Sequence, residues 1–162
     1  MEQERLKFAI GRFDHYFDSV NNKCTVFLTL STFIVGGLIA GYPVLLDKVE
    51  CGACTHVLMS VLLLLGLAIM IIVSKASIPY MKGKSNSLLF YGDIADIPLA
   101  TYTAASTSQD AAKELQDLRE QSYYLAKGLK YKFRHLQIVG YLMIIQFALF
   151  VPLFIIIICN LK

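Results

Sequence analysis

Cys54-Thr-His-Val-Leu-Met-Ser-Val-Leu-Leu-Leu-Leu-Gly-Leu-Ala-Ile-Met-Ile-Ile-Val-Ser74 decides the fold. It carries no Asp, Glu, Lys or Arg, and the charge-free stretch begins at residue 51. A bilayer core of about 30 Å is crossed by roughly 20 apolar residues in a helix, because each residue rises about 1.5 Å. Residues 24–46 and 135–161 are charge-free in the same way. Lipid offers the backbone no hydrogen-bond partner, so all three stretches must be helices. Spans are expected at 24–46, 54–74 and 137–160. A chain of 162 residues is too short to bury three such helices on every side in a water-soluble core.

The composition agrees. Apolar residues make up 56 % and charged residues 17 %, against about a quarter charged in soluble domains. Mean hydropathy is +0.58. This balance excludes a soluble enzyme and a disordered chain. The first span starts at residue 24, after a patterned segment, and is too long for a cleavable signal. Pro152 falls inside the third span, where membrane helices tolerate a kink. Gly36, Gly37 and Gly41 in the first span permit close helix contact.

Orientation follows from the basic residues. Of the 15 Lys and Arg, only Lys48 and Lys162 lie outside segments 1–23 and 75–135. Positive charge is retained on the cytoplasmic side, so the N-terminus and the middle segment are expected to be cytoplasmic. The turn 47–53 then faces outward. Basic residues at the membrane edges, such as Lys23, Lys75 and Arg134, meet anionic headgroups, and the net charge of +3 needs no nucleic acid to explain it.

The segments outside the spans are patterned too. Leu6, Ile10, Phe13, Phe17 and Val20 recur at heptad spacing, so residues 1–23 form a helix that runs into the first span. Ala111, Leu115, Leu118, Ser122, Leu125, Leu129, Lys132 and Leu136 form a second seam, interrupted by Ser122 and Lys132. Ser108 is the expected N-cap of that helix, which continues into the third span. The two seams are expected to pack on each other, within one chain or between copies. Between them, Pro79, Gly83, Gly92 and Pro98 punctuate a long connection, read as an ordered lid or binding loop with a small, hydroxyl-rich stretch at Thr101–Ser108. The fold class is therefore an all-α membrane protein. It has three transmembrane helices and long cytoplasmic helical extensions, an N-terminal helix and a helix preceding the third span. Residues 75–136 form the sensing region.

No phosphate loop, dinucleotide fingerprint, nucleophile elbow or zinc-protease motif is present. Gly83-Lys84-Ser85 lacks the upstream glycine of a phosphate loop. Cys51 and Cys54 form an outward-facing C-x-x-C that is open to two readings, a disulfide in an oxidising compartment or structural thiols, and Cys24 and Cys159 read as apolar residues. His15, His56 and His135 are not at metal-ligand spacing. The chain reads as a non-enzyme with no cofactor and no metal. What remains is a cationic, aromatic cytoplasmic surface. Tyr91, Tyr102, Tyr123, Tyr124 and Tyr131 suit stacking on a planar ligand, and Arg119, Lys127, Lys130, Lys132 and Arg134 suit an anion.

Three landmarks then coincide: Asn21-Asn22-Lys23-Cys24 at the entry to the first span, Leu89-Phe-Tyr-Gly-Asp-Ile-Ala95 after the second, and Leu118-Arg-Glu-Gln-Ser-Tyr-Tyr-Leu-Ala-Lys-Gly-Leu-Lys-Tyr-Lys-Phe-Arg134 before the third. Together, over about residues 8–160, they resemble the Pycsar transmembrane effector family. Members commonly carry an acidic-Thr-Lys-Ala step at the first landmark. Here Lys23 is kept and the acid is an Asn.

The resemblance implies a bacterial anti-phage effector of the inner (cell) membrane. A partner cyclase makes a cyclic pyrimidine mononucleotide, cyclic CMP or cyclic UMP. The effector senses it, rearranges or forms a homo-oligomer, and impairs the membrane so that infection aborts. A bound cyclic nucleotide needs a cation for its phosphate and an aromatic or amide group for its base. Tyr91, Asp93, Arg119, Gln121 and Lys127 are the candidate contacts, with Lys23 added by the first landmark. Two alternatives stand beside this reading. One is an accessory subunit of a membrane complex, using the seams as docking surfaces. The other is a holin-like pore that needs no ligand.

Overall fold

The computed structural model describes residues 1–49, 52–79 and 87–160. These residues form α-helices and no strand: α1 (Glu2–Lys48), α2 (Ala53–Ser77), α3 (Tyr91–Asp96), α4 (Leu99–Ser108) and α5 (Ala111–Cys159). The proposed disulfide partner Cys51 and the Gly83-Lys84-Ser85 step lie outside the described residues; Cys24, Cys54 and Cys159 are free thiols. The chain divides into two compact units. One holds Met1–Ser19 and Pro79–Lys132, the other Val20–Ile78 and Phe133–Lys162. Helices α1 and α5 each contribute to both.

The second unit holds the apolar spans, and among the described residues three helices are long and apolar enough to cross a membrane. Its buried positions recur at steps of three and four, in strict alternation along α2. On α2 they are Thr55, Met59, Leu62, Gly66, Ile69, Val73 and Ala76. On α5 they include Leu136, Val139, Met143, Gln146 and Leu153. On α1 they are Val20, Cys24, Ser31, Val35 and Leu38. A 3.5-residue repeat keeps one face of each helix on its neighbours and is the packing of left-handed bundles. Phe33, Leu64, Ile144 and Phe154 point the other way and are exposed. An apolar surface of that extent is stable only against lipid.

Four hydroxyls inside the spans are satisfied within their own helix. Thr25, Thr32, Ser60 and Ser74 each donate to the carbonyl four residues earlier, at 3.1, 2.8, 2.9 and 2.8 Å. This is how a polar side chain is accommodated on a helix in hydrocarbon. Near the α1–α2 connection, Tyr42 Oη lies 2.6 Å from His56 Nδ1, with the rings edge to face.

The first unit packs the first turns of α1 against the first half of α5. Leu6, Ile10, Phe13 and Phe17 are the half-buried face of α1, and Leu118 and Leu129 are buried on α5. The two seams thus meet within one chain. Polar contacts rim them: Gln3 Nε2 donates to Glu114 Oε1 at 2.7 Å, and Lys7 Nζ lies 3.5 Å from the same oxygen. Lys132, the seam's cation, is 4 % exposed and lies 5.9 Å from the centre of the Phe17 ring.

Three expectations are corrected. A Cβ at Gly36, Gly37 or Gly41 would meet nothing within 4 Å, so these glycines mark no close helix approach among the described residues. Ser108 does not cap α5. It is the last residue of α4, and its Oγ donates back to the Ala104 carbonyl at 2.7 Å. Helix α5 starts after Asp110, whose carbonyl accepts the Glu114 N–H at 3.0 Å. The hydroxyl-rich stretch Thr101–Ser108 is helix rather than loop. Pro98, with φ fixed near −61°, starts it as proline at a helix N-terminus does, and its carbonyl accepts the Tyr102 N–H at 3.0 Å. Thr103 and Thr107 also donate to their own helix, at 2.8 Å each.

Candidate functional site

The site begins with Ser87. Its backbone N–H donates to Asp93 Oδ2 at 2.8 Å, and its Oγ donates to Asp117 Oδ1 at 2.7 Å. The N–H of Leu88 donates to the other oxygen of Asp117 at 2.9 Å. The same Ser87 Oγ accepts from the N–H groups of Leu89 and Phe90, at 3.1 Å each. One α5 carboxylate and one hydroxyl therefore clasp residues 87–90 to α5 and set the start of α3. Hydrogen bonds to a charged acceptor are the stronger kind.

The clasp frames a cavity of about 650 Å³, open on one side. Its wall comes from residues 87 and 88, from α3 and Ile97 (Asp93, Asp96), from α4 and Gln109 (Thr101, Ala105, Ser108), and from the first turns of α5 (Lys113, Gln116, Asp117, Glu120). That volume is in the range of small-molecule sites. Its charge is acidic: Asp93, Asp96, Asp117 and Glu120 face Lys113, the one cation among the described wall residues. The described wall residues thus offer many acceptors to a ligand's N–H and O–H groups, and one ammonium, near the N-terminus of α5, to an anion. Backbone N–H groups and the helix dipole favour negative charge at that end.

The sequence candidates separate in space. Asp93 is on the cavity wall. Tyr91, Arg119, Gln121 and Lys127 are in the same unit but not among the wall residues. Tyr91 is exposed at the start of α3, with its ring 5.1 Å from that of Phe90. Lys127 Nζ lies 4.7 Å from the Tyr123 ring centre. Gln121 is half-buried on α5. Lys23 is an exposed residue of the other unit.

Arg119 holds Glu2 in a two-pronged ion pair, Nε to Oε1 at 2.9 Å and Nη2 to Oε2 at 2.7 Å. The hydrogen bond from Arg119 holds the Glu2 carboxyl below its ordinary range, and the same bond raises the guanidinium further. Arg119 is therefore an anion-binding group that already has its anion. Sequence reasoning missed Ser87, Asp96, Lys113 and Asp117. The only sequence signal for them was their place in or next to the polar, punctuated connection. Among the described residues no cluster of three or more His, Cys, Asp or Glu is arranged to hold a metal ion.

An all-α membrane protein with a cavity-bearing helical unit is the class that the fold and site define. The family model PycTM, described as the Pycsar effector protein domain, matches residues 5–159, and the chain belongs to that family. No curated protein and no solved structure matches the chain. Membership makes it a non-catalytic membrane effector with a role in anti-phage defence. It also implies a cyclic-nucleotide signal from a partner cyclase.

Proposed function

We propose that the chain is activated by a cyclic pyrimidine mononucleotide, cyclic CMP or cyclic UMP, bound in the cavity between residues 87–109 and the first turns of α5. On binding, it rearranges or oligomerises and impairs the inner membrane. The observation that carries this reading is the cavity, with its carboxylates, its lysine and its clasp on α5. In the bound state the base edge and ribose hydroxyl donate to the acceptor-rich side, at Asp93 and Asp96. The cyclic phosphate lies toward Lys113 and the first N–H groups of α5. Tyr91 closes over the ring face.

A ligand shifts an equilibrium only by its differential affinity for the two states. A nucleotide that bridges the clasped segment and α5 favours the clasped state. Because α5 also contributes to the apolar unit, a change in its packing has a covalent route there.

The test is calorimetric titration of the detergent-solubilised full chain with cyclic CMP, UMP, AMP and GMP. Binding of one pyrimidine nucleotide, weakened about tenfold or more by Lys113→Ala, is expected. Saturable binding unaffected by Lys113→Ala and Asp96→Asn rules out this cavity. The surplus of carboxylates favours one second reading, a dock for a basic segment of another protein in an accessory-subunit role. Binding of none of the four nucleotides by folded protein supports it. Membrane damage on expression without any nucleotide supports the holin-like reading.

A further inference from the structure

Two polar side chains lie fully buried inside the apolar unit and keep an oxygen without a partner: Ser31 on α1 and Gln146 on α5, each 0 % exposed. The Gln146 amide nitrogen reaches the Leu62 carbonyl of α2 at 3.3 Å. A carbonyl only accepts, so the nitrogen must face it and the orphaned atom is Oε1. Gly66 makes this approach possible. It sits one turn beyond Leu62, and a Cβ there would fall 3.0 Å from Gln146 Nε2 and 2.5 Å from Val35 Cγ2. Ser31 is as unusual. Thr25, Thr32, Ser60 and Ser74 each donate to their own helix, whereas Ser31 Oγ has no partner. Leu62, whose carbonyl takes the Gln146 amide, and Val35, one turn from Ser31 and against Gly66, are buried and apolar.

We infer that Ser31 and Gln146 are the polar lining of a path for water and small monovalent cations along the α1–α2–α5 interface. The path is closed by buried apolar side chains in the arrangement described here, and it hydrates when the helices part. The inference builds on the proposed membrane-impairing role. Buried polar groups in a membrane segment mark ion or water pathways, and an apolar constriction closes such a path by excluding water. The two free atoms are oxygens, which is the ligand type that water and hard monovalent cations take. A lipid-facing polar residue would not be fully buried between helices, and most buried polar atoms find a partner, which these two oxygens lack.

The test reads potassium efflux from liposomes holding the full chain, with nucleotide binding and membrane insertion measured in parallel. Where wild type leaks on addition of cyclic CMP or UMP, Gln146→Leu is expected to lower the efflux rate about tenfold or more. It should leave nucleotide binding and insertion unchanged, with Ser31→Ala acting in the same direction. Wild-type efflux from inserted, nucleotide-binding Gln146→Leu protein overturns the inference. Where wild type leaks with neither nucleotide, the proposed activation fails and the charged variants decide. Gln146→Lys should leak without ligand, while Ile145→Lys, next to it on the exposed face, should not. Leakage from both, or from neither, overturns the inference.

Discussion

Replacing Gly66 by Ala tests the packing of the apolar unit at its tightest point. The new Cβ would stand 2.5 Å from Val35 Cγ2 and 3.0 Å from Gln146 Nε2, where comfortable contact is about 3.5–4.0 Å. Val35 cannot simply turn aside, because a β-branched residue in a helix has one strongly preferred rotamer. The helices must therefore move apart, and overpacking of this kind costs about 1–3 kcal/mol. The weak Gln146–Leu62 bond goes with it, at about 0.5–1.5 kcal/mol. Against this stands the gain of about 1 kcal/mol for Gly to Ala within a helix.

Gly140 on α5 supplies the control, since a Cβ there meets nothing within 4 Å. Gly140→Ala should show the helical gain alone. The expected difference between the two variants is the packing and hydrogen-bond loss, about 1.5–4.5 kcal/mol. It is measured by unfolding each variant reversibly in mixed micelles with a denaturing detergent. Adding Val35→Ala should recover part of the loss. Equal stability of the two glycine variants, or no recovery, refutes the close approach of α2 to α1 and α5.

Other outcomes follow from the first unit. Asp117→Asn removes the charge from the acceptor of two bonds to residues 87 and 88, so hydrogen exchange at the Leu88 amide should speed up about tenfold or more, while exchange within α2 stays unchanged. For Glu2 the folded carboxyl is held below its ordinary value of 4.5. Its contribution is present above that value and is lost as pH falls through the lower, folded value. The Arg119→Met variant should thus show less acid sensitivity than wild type in thermal melts between about pH 5 and pH 2, and the difference should shrink at high salt because both groups are exposed. A nucleotide phosphate seated at Lys113 predicts a different pattern: Lys113→Ala weakens binding, whereas Arg119→Met, whose guanidinium is taken by Glu2, leaves it nearly intact.

Much of the architecture was legible because it is periodic and local. Charge-free stretches of bilayer length announce the spans. The Leu6–Val20 and Leu118–Leu136 seams announce their partnership, because heptad spacing is a property of one helix at a time. The failures are of another kind. A serine such as Ser108, at a helix boundary, serves equally well as a cap for the next helix or as a back-bonded residue of its own. Only the backbone at Gln109, extended at φ −68° and ψ 123°, decides between them.

Among the candidate ligands, Arg119 looked available because its partner Glu2 lies 117 residues away in sequence. The Ser87–Asp117 clasp joins positions 30 apart and has no local signature. In the spans, Gln146 and Gly66 are single letters in apolar runs. Their meeting becomes visible only once the alternation of three and four is followed through each helix and both fall on its buried face.

The measurement that bears most directly on the central claim is nucleotide-triggered leakage from liposomes that hold the purified full chain. Cyclic CMP, UMP, AMP and GMP are added in turn at micromolar levels. Release with cyclic CMP or cyclic UMP, absent with the purine nucleotides and lost in Lys113→Ala, is the predicted result. Release that is the same with and without nucleotide, or none at all from protein shown to be folded and inserted, contradicts it.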